Sequence, residues 1–344
     1  MADDQRTPPL PQSIIDVTAF VPDARTDPHP KLKALRDNCP VMRDEMAKTW
    51  FLTGYADIRE TVNDRSFVRH PLNSEDGSLS RRLVDDDDPD ARRTSILFLD
   101  DPDHARIRQP LAKAFYARIN KMKPEIEAII DDTIAAAPAE GAFDLMEAIA
   151  VPIPVLVIAR ILGVDESRLA DFRQWSEDVI LGLNPMRTEA ETARLISGAE
   201  ALDAYFTELM TARRADPRDD LISDMVQMLA SGEADMSDDE LRLNLQALLV
   251  GGNLTTTDLI GNGVWLFLTH PDQMAALRAN PGLGGQAVEE VLRYEAPVSA
   301  TSRILAEDRQ VAGCPMKARQ VVFCSLASAN CDAATFDAPD AFDI

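Results

Sequence analysis

Along most of the chain, apolar positions recur every three to four residues, the spacing of a helix with one buried face. Within 55–63, for example, Ile58 and Val62 sit four apart. The same period predicts helices over 103–118, 122–136, 154–162, 166–182, 188–214, 219–230, 237–269, 272–279 and 284–294. End signals agree with these spans. Ser237 and Glu240 have the S-x-x-E spacing of a capping box, and Pro271 stops the same helix. Gly163 stands where a C-cap is expected. Asp219 and Asp220 put acids at the start of the next helix, where they suit the macrodipole. At 1.5 Å per residue, the stretch 237–269 reaches roughly 45–50 Å. It is largely apolar on every side, as a helix running through a core should be.

The helical period fails near both ends. Residues 1–40 read as an irregular arm, because Pro and Asp interrupt every pattern. Val41-Met-Arg-Asp and Thr49-Trp-Phe-Leu-Thr, followed by Gly54, read as a small hairpin. Beyond Tyr294, Arg303-Ile-Leu, Gln310-Val-Ala and Gln320-Val-Val-Phe-Cys read as short strands, with a turn at Gly313-Cys-Pro-Met. Residues 71–94 read as a long loop. At its centre, Asp85-Asp-Asp-Asp-Pro-Asp90 is either a solvated, self-repelling run or a calcium site. The chain has no repeat of fixed period. The expectation is one mainly-α domain over 1–344 with small β-sheets.

Composition narrows the function. Lys plus Arg is 35 and Asp plus Glu is 58, a net charge of −23. Such a balance argues against nucleic acid and against an anionic membrane as partners. The polar, Pro-rich start lacks the pattern of a secretory signal. The longest apolar run, 148–159, is too short to span a bilayer, which needs ~20 residues. A cytoplasmic protein is therefore expected. Cys39, Cys314, Cys324 and Cys331 form no Cys-x-x-Cys pair, so they read as free thiols, and no metal site is expected among them.

Three constellations stand out. Gly251-Gly252 lies in the middle of a helix, where each Gly costs roughly 1 kcal/mol relative to Ala. Either something large and flat approaches there, or a neighbouring helix packs closely. Thr255 follows, a residue able to bond back to a carbonyl one turn earlier. Glu290 and Arg293 form an i,i+3 pair, common on helix surfaces and worth only ~0.2–0.5 kcal/mol there. His104 and Arg108 share one helix face, which alone is an ordinary solvated surface.

Taken together and in order, these segments resemble the cytochromes P-450, the haem-thiolate monooxygenases, in their bacterial form. The resemblance covers 41–344. It rests on Gly251-Gly252-Asn-Leu-Thr-Thr256, on Ala287-Val-Glu-Glu-Val-Leu-Arg-Tyr-Glu-Ala-Pro-Val298, and on Asp100-Asp-Pro-Asp-His-Ala-Arg-Ile-Arg108. It implies the P-450 fold and haem (iron protoporphyrin IX) as cofactor. His104, Arg108 and Arg303 would hold the propionates, and Gly251 and Gly252 would lie against the haem. Thr255 would take part in proton delivery during dioxygen activation. Leu254 stands where the family has an acid. Asp258, one turn beyond Thr255, is the candidate to compensate. Glu290 and Arg293 would form a structural ion pair. Ile96, Leu97, Phe98, Leu248, Val298 and Ser299 are candidates to line a substrate pocket, with ordinary core packing as the alternative for each.

The family's iron ligand lies in a Phe-x-x-Gly-x-x-x-Cys-x-Gly loop, after a segment like Phe336-Asp-Ala-Pro-Asp-Ala-Phe-Asp343. That loop is absent from this sequence, and Cys331 occupies a place where relatives commonly carry Arg. The fold is thus expected to be incomplete at its C-terminal side, without an axial cysteine. The implied function is insertion of one atom of dioxygen into an apolar small molecule, with electrons from a ferredoxin-type partner. The alternative is a non-catalytic remnant that keeps the fold and a ligand pocket.

Overall fold

The computed structural model describes residues 10–11, 13–18, 27–84 and 95–344. The acidic run 85–90 lies outside the described residues, so its calcium reading rests on sequence alone. In chain order the elements are α1 (His29–Asn38), β1 (Val41–Asp44), β2 (Thr49–Leu52), α2 (Tyr55–Asn63), β3 (Phe67–Val68), α3 (Asp103–Ala136), α4 (Pro152–Leu162), α5 (Leu169–Val179), α6 (Glu189–Ala215), α7 (Leu221–Ser231) and α8 (Asp238–Thr269). There follow α9 (Pro271–Ala279), α10 (Gly284–Tyr294), β4 (Ala300–Leu305), β5 (Arg309–Val311), β6 (Cys314–Met316), β7 (Val321–Ser325) and the single turn α11 (Leu326–Ala329). The chain divides into two compact units, Arg92–Gly261 and Met1–Ala91 with Asn262–Ile344. Among the described residues, no helix is long and apolar enough to cross a membrane.

The unit Arg92–Gly261 is helical. Its core joins Ile107 and Leu111 of α3, Ile158 and Leu162 of α4, Phe172 of α5, Leu202 and Phe206 of α6, Ile222 of α7, and Leu241, Leu245 and Leu249 of α8. The spans 103–118 and 122–136 are one continuous helix, although Pro110 and Pro124 lie inside it. The buried positions Ile107, Leu111, Ala114, Ile129 and Thr133 form a single stripe along α3. Burial of that stripe outweighs the two lost prolyl hydrogen bonds. Three helix ends meet at a buried charge pair. Arg213 Nε donates to Asp220 Oδ2 at 2.5 Å, with both side chains almost fully buried. Arg213 Nη2 donates to the Gly163 carbonyl at 2.7 Å, and Asp220 caps α7 by accepting from the Ser223 amide at 2.7 Å. Gly163 has φ +80° as the C-cap of α4. A Cβ there would fall 2.2 Å from Asp220 Oδ2, so only glycine fits.

The unit Met1–Ala91 with Asn262–Ile344 contains a five-stranded sheet in the order β1-β2-β7-β4-β3. Its centre is a parallel pairing of β2 with β7, Thr49 opposite Val321 and Leu52 opposite Cys324. β4 lies antiparallel to β7, which sets Arg303 opposite Val322 and Thr301 opposite Cys324. Leu52, Ile58, Phe67, Leu305 and Val322 form its main core. The arm expected over 1–40 is not wholly irregular. It contains a 3-10 turn, Ile14–Val17, and helix α1, whose Leu32 and Leu35 pack with Ile14 and Phe51. Tertiary burial supplies here the stability that the broken local pattern concealed. The turn expected at 313–316 is displaced. Ala312 and Gly313 carry positive φ, +49° and +75°, and form the two-residue connection, while Cys314 belongs to β6.

Candidate functional site

In the helical unit the candidate residues lie on α8, on the start of α3 and on the turn before it. The capping box is formed at the entry of α8: the Ser237 amide donates to Glu240 Oε2 at 2.7 Å, and the Glu240 amide donates to Ser237 Oγ at 3.1 Å. Glu240 also receives Arg106 of α3 at 2.6 Å, and Arg106 Nη1 donates to the Asp235 carbonyl at 2.7 Å. The Arg106 hydrogen bonds are the main reason that Glu240 is held below the usual carboxylate range. Arg106 thus ties the first turn of α3 to the first turn of α8. Its position between His104 and Arg108 gave no hint of this, because the partner is remote in sequence.

The two mid-helix glycines have different reasons. A Cβ on Gly252 would come 3.1 Å from Ile158 Cδ1 of α4, so this glycine serves close helix packing. A Cβ on Gly251 would meet nothing within 4 Å. Thr255 lies on the same flank, and its hydroxyl donates to the Gly251 carbonyl at 2.8 Å. Asp258 is one turn further on, exposed at the flank, and desolvation by its surroundings raises its carboxyl above the usual range. Leu248 is partly buried against the helical core, as is Ile96. The Ile96 amide donates to Asn244 Oδ1 at 2.8 Å, which fastens the 96–98 turn to α8 one turn before Leu248. Leu97 in that turn is half exposed, and Phe98 is partly buried.

His104 opens α3 with its ring 3.6 Å from the Asp101 carboxylate. Arg108, one turn later, is exposed and has no hydrogen-bond or ion-pair partner among the described residues. Ile107 between them is fully buried and fixes the face they share.

In the other unit, Glu290 and Arg293 of α10 form a two-pronged pair at 2.7 Å on each prong, with both side chains 13% exposed. Arg293 also donates to the carbonyls of Asn330 and Pro339, each at 2.9 Å, and of Ala341 at 2.7 Å. All five guanidinium N–H groups are therefore used. Val298 and Ser299 are exposed in the segment leading into β4. Arg303 is buried in β4 and donates to Thr301 Oγ1 at 3.1 Å and to the Ser302 carbonyl at 2.8 Å. Cys324 is completely buried in β7, and burial pushes its thiol up to about 12. Cys331 is buried, with its sulfur 3.8 Å from Nδ1 of His29. Among the described residues no group of His, Cys, Asp and Glu side chains is arranged to hold a metal ion.

No family model matches the chain. It is, however, 34% identical over 343 residues to cytochrome P450 107B1 of Saccharopolyspora erythraea, which spans 96% of this chain and 81% of that protein. The chain belongs to the cytochrome P450 family. It is also 36% identical over 325 residues to the vitamin D(3) 25-hydroxylase of Pseudonocardia autotrophica, covering 92% of the chain and 77% of the relative. Among solved structures it matches a myxobacterial cytochrome P450, CYP267B1, in complex with myristic acid. That match has a TM-score of 0.85 at 32% identity and covers 96% of this chain and 82% of that one. As a P450, the chain is a haem monooxygenase, an oxidoreductase that uses dioxygen on a small molecule. The hydroxylase names of the relatives favour this over the non-catalytic alternative.

The residues present suit a haem. The flank of α8 at Gly251 carries no side chain and has open space beside it. Arg108, which has no partner among the described residues, and His104 on the same face are donors suited to a carboxylate-bearing cofactor.

Proposed function

We infer that this P450 oxidises an apolar small molecule at a haem lying along the Gly251–Thr255 flank of α8, with electrons delivered by a ferredoxin-type protein. The observation that carries the reading is the asymmetry of the glycine pair: Gly252 is filled by Ile158, whereas Gly251 opens beside the Thr255 hydroxyl. The haem, when bound, supplies the redox-active iron at which dioxygen is activated.

The chain's own residues then have definite tasks. His104 and Arg108 would hold a propionate through charge-assisted hydrogen bonds. Thr255 keeps its hydroxyl proton on the Gly251 carbonyl and leaves an oxygen lone pair free to accept. Asp258, raised by desolvation, can carry a proton one turn from that hydroxyl. It stands in for the acid that Leu254 lacks. Ile96, Phe98 and Leu248 offer apolar wall, in keeping with relatives that act on vitamin D(3) or bind myristic acid. None of the four cysteines is assigned as iron ligand, since Cys324 is sealed inside the sheet and Cys331 is engaged by His29.

The test is haem content per chain in His104→Ala and Arg108→Ala, singly and combined, alongside the fraction of reductant that appears in product for Asp258→Asn. Progressive loss of haem and a fall in coupling are expected. Unchanged haem in the double variant would refute the propionate assignment, and unchanged coupling in Asp258→Asn would refute the proton role.

A further inference from the structure

Far along the sequence from the Thr255 flank, the sheet-containing unit brings a thiol, an imidazole and a carboxylate into one line. His29 Nδ1 is 3.8 Å from Cys331 Sγ, and His29 Nε2 is 3.2 Å from Glu295 Oε1. The imidazole is stacked on Tyr294 with ring centroids 6.0 Å apart, which fixes its plane. Its hydrogen bonds, first to Cys331 and then to Glu295, push its proton affinity up to about 10. Arg293 also lies within electrostatic range of the sulfur. The charged and titratable groups around Cys331 are therefore His29 from α1, Arg293 and Tyr294 from α10, and Glu295 at its end.

We propose that Cys331 is a modification site for small carbon electrophiles, a nucleophile switched on by the His29–Glu295 pair. A positive imidazole beside a sulfur, itself held by a carboxylate, is the arrangement that makes a thiol reactive in nucleophilic enzymes. Here Glu295 holds the ring at Nε2 and leaves Nδ1 to face the sulfur. In the reaction, the sulfur lone pair attacks the electrophilic carbon, the S–C bond forms and the carbon–halide bond breaks. The halide leaves with the electron pair, and the proton stays on His29.

Cys324 in the same unit is the internal control. It is fully buried in β7, has no imidazole at its sulfur among the described residues, and is pushed up to about 12 by burial against the opposing effect of Arg303. Cys39 and Cys314 are partly exposed, whereas Cys331 is 5% exposed, so they provide a reference for simple access.

The experiment is timed alkylation of the folded full chain with iodoacetamide. The protein is then denatured, remaining thiols are capped with a maleimide as the second reagent, and the fraction at each cysteine is read by peptide mass spectrometry. At about pH 6.5, Cys331 should react at least about ten times faster than Cys324, which is also buried but has no imidazole at its sulfur among the described residues. His29→Gln should remove the rate advantage, and Glu295→Gln should reduce it. The proposal is overturned if Cys331 is as slow as Cys324 throughout, or if His29→Gln reacts like the parent. Should His29→Gln fail to fold by circular dichroism, Glu295→Gln decides: a Cys331 rate equal to the parent's overturns the proposal.

Discussion

Substituting the two adjacent glycines of α8 one at a time separates a packing role from a cofactor role. Each Gly→Ala change in a helix interior gains about 1 kcal/mol of intrinsic helix stability. At Gly251 the new methyl meets nothing within 4 Å, so that gain is unopposed. At Gly252 it would stand 3.1 Å from Ile158 Cδ1 and 3.2 Å from Cγ1. Ile158 is buried in the helical core and cannot swing into solvent, so the methyl overpacks it, which typically costs about 1–3 kcal/mol. The helix term is common to both variants and cancels in their difference. Gly251→Ala should therefore be more stable than Gly252→Ala by about 1–3 kcal/mol. Urea titration of the haem-free protein, followed by far-ultraviolet circular dichroism, measures that difference at equal slope. Haem occupancy should move the other way, with Gly251→Ala retaining less haem than Gly252→Ala, because only the first methyl intrudes on the open flank. If the two variants have the same midpoint, or if Gly252→Ala is the one that loses haem, the division of roles is wrong.

Further expectations concern charge. Arg213→Met leaves Asp220 buried without its partner and should cost about 3–5 kcal/mol in denaturant unfolding, whereas the double change Arg213→Met, Asp220→Leu should recover much of it. Asp258 has a raised folded-state value, so its stability contribution is present below the ordinary carboxylate range, near pH 4, and is lost as pH rises through the folded value. Asp258→Asn should thus be at least as stable as the parent at neutral pH and lose that advantage on acidification, checked by melting across pH. Arg293→Lys keeps the charge but cannot fill five fixed donor positions, and should lower stability by about 2 kcal/mol or more in the same unfolding assay.

The sequence disclosed the helices well because most bury one face, and periodicity reports that directly. It disclosed α1 and β3 poorly. The first carries Pro30 in its opening turn, within an arm broken by Pro and Asp, and is stabilised by remote Phe51, and the second is only two residues long. It split α3 in two between 118 and 122, where the local apolar period lapses, whereas the buried positions continue on one stripe to Ile129 and Thr133. The candidate site shows the same division. Gly251, Thr255, Glu290 and Arg293 were visible as spacing on single helices. The Arg106–Glu240 link, the Arg213–Asp220 junction and the His29–Cys331 approach join residues far apart in sequence, and no spacing announces them.

The saturated guanidinium of Arg293 has one more consequence. Three of its five hydrogen bonds end on carbonyls between 330 and 341, a stretch without a strand and, beyond α11, without a helix. Glu290 adds the amide of Asp343. The segment is therefore fastened at several points to one side chain, and those points release together or hardly at all. Protease cleavage and amide exchange within 330–344 should then behave as a single opening event whose frequency follows the Glu290–Arg293 pair. A nick there would be a convenient gauge of whether that ion pair is intact in any variant of the enzyme.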